Sequence, residues 1–243
     1  MKKSFKGTVL VVLAAIAWGI SGVSGQFLMK QGISVYLLTS LRLLISGLLL
    51  IGVVIWQQPQ QVKAILEDKK VLAGIFGFSI CGLLLNQFSY LQAIHYTNAG
   101  TATVLQYMAP VLVLTVICFR DRSLPTMGEL TAILLAILGT FIIATHGQLG
   151  NLALTPAGLF WGLFSAVTYT LYMFLPIKLI QEWGSLLVIG LGMLLGGLVF
   201  SLVSQSWQYN PQFQANNLLA YVGLIIVGSV FAYTSFLKGV SLI

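Results

Sequence analysis

Asn86, Gln87 and Tyr90, followed by Thr103, Gln106 and Tyr107, stand out in this sequence because polar and aromatic side chains sit inside long apolar runs. An amide in hydrocarbon has to find a partner, so such groups face other helices or a wet cavity rather than lipid. Asn86 and Tyr90 are four residues apart, and Thr103 stands three and four residues before Gln106 and Tyr107, so on helices each set shares a face. Trp18, then Trp161, Tyr169 and Tyr172, and finally Tyr233 and Ser235 add aromatic and hydroxyl groups in other apolar runs. The chemistry these residue types offer is recognition: hydrogen bonding and stacking around a small, partly aromatic or amphipathic molecule. Any single one of them also reads as a polar tie between two helices.

Arg42 is a cation set one to two turns inside an apolar run. It reads as an interface anchor reaching back to the headgroups or donating to helix-end carbonyls, or as a residue that helps bind an anionic substrate or stabilises a gate. Pro110 removes a backbone hydrogen bond from its helix and kinks it.

Reaction chemistry is missing from the pattern. The five acids (Glu67, Asp68, Asp121, Glu129 and Glu182) all fall in or beside loops, not mid-span where an ionisable group would point to function. No His/Asp/Glu cluster has metal-ligand spacing. His95 and His146 sit at the outer ends of apolar runs, as solvated interfacial residues or as a proton relay. Cys81 and Cys118 read as small packing residues. The expectation is no catalytic residue, no metal and no cofactor. With no ATP-binding motif, an ATPase within this chain is excluded.

The elements that must position these residues follow from composition. The 243 residues are 58% hydrophobic and 7% charged, far below the roughly 25% charge of soluble domains. Each bilayer crossing needs about 20 mostly apolar residues. Eight such runs are present, near residues 8–29, 35–56, 71–93, 99–119, 126–145, 156–176, 184–204 and 217–237. A polar stretch over 57–70 separates the second from the third. The apolar N-terminal run is too long for a signal peptide and reads as the first span. The net charge of +7 comes from cations scattered between apolar runs, with no basic face for nucleic acid. With the N-terminus in the cytoplasm, ten cations fall inside (Lys2, Lys3, Lys6, Lys63, Lys69, Lys70, Arg120, Arg122, Lys178 and Lys238) and only Lys30 and Arg42 outside. That split predicts the orientation.

An internal repeat is also legible. A shift of 150 residues lays Gly47 on Gly197, and a shift of 146 lays Gly77 on Gly223, Gly82 on Gly228, Ser89 on Ser235 and Leu91 on Leu237. An offset of five spans turns the second copy upside down, giving an inverted repeat. Small residues spaced four apart, at Ser21 and Gly25, Gly192 and Gly196, and Gly228 and Ala232, predict close helix contacts.

Leu13–Gly19, Leu41-Arg42-Leu43-Leu44, Tyr96–Ala102 followed by Ala109-Pro110-Val111, and Asp121-Arg122-Ser123-Leu124 followed by Gly139 together resemble the EamA family of the drug/metabolite transporter superfamily. The order and spacing of these motifs over about 145 residues carry the likeness, with Asp121 where Glu is usual. The resemblance implies an all-α integral membrane fold of ten helices in two inverted five-helix repeats. On that plan this chain holds eight transmembrane helices: a first repeat over 1–147, a linker over 148–155 and a second repeat over 156–243, expected to lack two spans. The function implied is secondary transport of small metabolites, such as amino acids or related compounds, by alternating access across the cell membrane. A membrane-embedded enzyme acting on lipid-linked substrates and a non-transporting partner subunit are the other readings.

Overall fold

The computed structural model describes residues 2–122, 124–145 and 154–240. Every regular element among them is helical. The helices are α1 (Lys2–Lys30), α2 (Val35–Gln57), α3 (Pro59–Glu67), α4 (Lys69–Tyr96), α5 (Ala99–Asp121), α6 (Met127–Thr145), α7 (Pro156–Trp183), α8 (Ser185–Ser204) and α9 (Ala215–Phe236, continuing to Val240). Seven are long and apolar enough to cross a bilayer, and α6 adds a shorter apolar helix over Met127–Ile142. The expected eight apolar segments therefore each fold as a helix. His146 and most of the expected linker lie outside the described residues.

Local chemistry starts these helices. Ser34 accepts a hydrogen bond from the Tyr36 amide, Asn98 from the Thr101 amide, and Thr155 from the Gly158 amide ahead of α7, whose first residue is Pro156. The polar stretch over 57–70 is not a plain loop. Pro59 opens α3, and Val62 and Ile65, three apart, are buried with Ile51, Val54, Ile75 and Leu187. An amphipathic face too short to read from composition makes this a helix lying at the bundle's end. Asp68 then caps α4 by accepting from the Lys70 and Val71 amides.

The sixth span also runs further than expected. A turn at Leu175–Pro176 interrupts α7, and the helix resumes over Ile177–Trp183. In α5 the break falls at Tyr107–Met108, a turn ahead of Pro110, because proline has no N–H for the Gln106 carbonyl. Both α4 and α9 carry a π-helical segment, Ser79–Leu84 and Gly223–Phe231. An offset of 146 residues places the first inside the second.

Packing is organised by pairs: α2 on α8, α1 on α9, and α4 on α7. Small residues set the distances. A Cβ on Gly47 would lie 2.5 Å from the Leu194 backbone nitrogen, and one on Gly197 would lie 2.8 Å from the Leu44 nitrogen. Ser79 of the α4 π segment donates to the Gly192 carbonyl of α8 at 2.6 Å. Ser21 of α1 donates to the Leu224 carbonyl of α9 at 3.3 Å. With lipid on the outside there is little hydrophobic drive between helices, so backbone approach and such hydrogen bonds hold the bundle.

Candidate functional site

A cavity of about 310 Å³ opens among α1, α2, α4, α5, α7 and α9. The sequence-predicted residues that line it come from every one of these helices: Trp18 from α1; Arg42 from α2; Asn86, Gln87 and Tyr90 from α4; Thr103, Gln106, Tyr107 and Pro110 from α5; Tyr169 from α7; and Tyr233 from α9. Spacing explains the grouping. Asn86 and Tyr90 point from one face of α4 towards Thr103 and Gln106 on one face of α5. Gln106 Nε2 donates to Asn86 Oδ1 at 3.1 Å. Thr103 donates to the Ala99 carbonyl at 2.7 Å, so its oxygen is left to accept from the Tyr90 hydroxyl at 2.8 Å. These bonds fix the α4–α5 wall as a polar ledge in a chamber otherwise lined, Arg42 apart, by apolar and aromatic residues.

The opposite wall is aromatic. Trp18 meets the Tyr233 ring edge-on at 5.6 Å and the Phe236 ring at 5.3 Å. Phe236, with Val11, Ala15 and Gly19 of α1 and Ala109 of α5, lines the cavity without having been singled out from sequence. Val11, Ala15 and Gly19 are spaced by four, but apolar residues on a membrane helix read the same whether they face lipid or a cavity.

Arg42 points into the bundle. It is 5% exposed, with Nε donating to Ser229 Oγ at 2.9 Å and Nη2 to the Gly228 carbonyl at 3.4 Å. Both acceptors belong to the π segment of α9, whose own backbone bonds run from each carbonyl to an N–H five residues on. This cation is held inside the bundle by a hydroxyl and a carbonyl of α9. Neither Ser229 nor the Gly228 carbonyl can be recognised as a partner from residue spacing, so this contact was beyond the sequence.

Three candidates stand outside the cavity. Tyr172 is buried behind it, packed on Phe78 at 5.9 Å and buttressing Tyr169 at 5.8 Å and Tyr233 at 5.9 Å. Trp161 belongs to an aromatic cluster with Phe88 and Phe164, because it lies more than two turns before Tyr169 along α7. Ser235 is buried within α9 while its neighbours Tyr233 and Phe236 take the cavity face.

Comparison with known proteins fits this architecture. The EamA-like transporter family matches residues 5–145. Over 244 aligned residues the chain is 34% identical to YicL, an uncharacterized inner membrane transporter of Salmonella typhimurium; the alignment covers all of this chain and 81% of that protein. This chain belongs to the EamA-like transporter family. No solved structure matches it. As an EamA-like protein with seven spanning-length apolar helices, it is a multi-pass membrane transporter.

Proposed function

We propose that this EamA-like protein is a secondary transporter in the plasma membrane, moving small metabolites such as amino acids or related compounds by alternating access. The cavity carries the reading: a polar ledge and an aromatic wall, supplied by helices from both ends of the chain, enclose room for one small molecule. We further propose two inverted units of a ten-helix plan, residues 1–147 and 156–243, joined by 148–155, with the N-terminus in the cytoplasm.

The reciprocal contact supports the two-unit plan. Gly47 touches Leu194 while Gly197 touches Leu44, and a shift of 150 residues carries Gly47 onto Gly197 and Leu44 onto Leu194. Two copies related by a two-fold axis meet in this way. The cavity follows the same register. A shift of 146 carries Gln87 onto Tyr233 and Tyr90 onto Phe236, and all four line it. Binding on the axis between inverted units suits alternating access, in which one unit rocks against the other around a fixed site.

The test is counterflow. Proteoliposomes loaded with unlabelled amino acids should take up an external radiolabelled amino-acid mixture faster than liposomes without protein. Uptake no faster than that of empty liposomes overturns the transport of amino acids.

A further inference from the structure

Accepting the cavity as the substrate path, we infer that its substrate is recognised by a carboxylate: this group sits on Arg42 and Gln87, with an apolar or aromatic body against Trp18 and Tyr169. The first observation is charge. Arg42 is nearly sealed from solvent, and its partners Ser229 and Gly228 are both neutral. Among the described residues no acid lines the cavity. A buried guanidinium without a counter-charge is costly, and two of its five N–H donors are used by the protein. A carboxylate entering the cavity supplies the missing charge, and a cation that brings no carboxylate is repelled.

The second observation is Gln87. It is 3% exposed, it lines the same cavity, and both its Nε2 and Oε1 lack a hydrogen-bond partner within the protein. Buried amides are almost always satisfied in a folded chain. A ligand oxygen accepting from Gln87 Nε2 satisfies the donor half.

The third observation removes the purely structural account of Arg42. A shift of 150 residues carries Arg42 onto Gly192, and a shift of 146 carries Leu83 onto Ser229. On the two-unit plan, the helix junction that Arg42 and Ser229 close on one side is matched on the other by Gly192 and Leu83, where a Cβ on Gly192 would come 2.7 Å from the Leu83 side chain. The scaffold makes this junction without any charge. Arginine is present only where the junction opens on the cavity.

The experiment is ligand-induced thermal stabilisation of the full chain in detergent, with probes that differ only in head group: phenylacetate, phenylacetamide and phenethylamine, and indoleacetate, indoleacetamide and tryptamine. The acids should raise Tm at roughly tenfold lower concentration than their amides, about 1.4 kcal/mol in binding, and the amines should not raise it. Arg42→Gln should abolish the difference between acid and amide. Gln87→Leu removes an amide with no protein partner, so it should fold like the wild type and weaken the acids; it keeps the test open if Arg42→Gln does not fold. Amides or amines that stabilise as well as the acids, or acids that stabilise no better than buffer, overturn the inference. Acid binding without amino-acid counterflow would instead overturn the transport of amino acids and leave the carboxylate site standing.

Discussion

The Cβ that Gly47 lacks would sit 2.8 Å from the Cα of Leu194, so α2 and α8 meet backbone to backbone. Gly197 stands in the same relation to Leu44. Gly47→Ala must therefore push the two helices apart, since no flexible side chain can yield. Overpacking of this kind costs about 1–3 kcal/mol. The expected outcome is a lowered Tm in detergent for Gly47→Ala and for Gly197→Ala. The double variant should lose less than both single losses together, because the helices need separating only once. Independent, fully additive losses would contradict a single shared contact.

Gln106→Ala takes away the donor to Asn86 and opens the polar ledge. Side-chain hydrogen bonds between membrane helices average about 0.6 kcal/mol, so folding and yield should hardly change. Transport should fall about tenfold if the ledge positions substrate, a loss of about 1.4 kcal/mol. Counterflow and the Tm of the same preparation, measured together, decide it. Equal losses in both would make Gln106 a packing residue.

Gln87→Leu offers a stability readout that needs no ligand. Leaving a buried polar group unsatisfied costs about 1–3 kcal/mol, and leucine, one atom shorter and wholly apolar, removes that group. The unliganded variant should melt no lower than the wild type, and a higher Tm is expected. A clear fall in Tm would show that the amide has a partner in the free protein.

Orientation is checked by labelling. Cys81 and Cys118 are first replaced by serine, leaving no native thiol. Gln212→Cys, between α8 and α9, should react with a membrane-impermeant maleimide on intact cells. Lys69→Cys, at the start of α4, should react only after permeabilisation. The reverse pattern places the N-terminus outside.

How much of this was legible in the sequence depended on what each residue had to satisfy. The membrane helices were readable because the bilayer demands long apolar runs, and only α3 escaped, its two buried residues hidden in a polar segment. On α4 and α5 the cavity face was readable because amides in hydrocarbon need partners. On α1 and α9, Val11, Ala15 and Phe236 gave no such signal, since an apolar side chain suits lipid and cavity alike. Arg42 was visible, but its depth was not: its acceptors, a serine hydroxyl and a backbone carbonyl, come from a π segment that residue types do not announce.

Those π segments also set which way two of the cavity's walls face. A π turn holds a surplus residue relative to the α-helix, and each residue of an α-helix advances by about 100° around the axis. In α4 the surplus lies over Ser79–Leu84, ahead of Gln87 and Tyr90; in α9 it lies over Gly223–Phe231, ahead of Tyr233 and Phe236. Shifting a surplus residue past these positions would swivel a cavity face without unravelling its helix. The direction in which two of the chamber's walls face is thus written by the residue each helix holds in surplus.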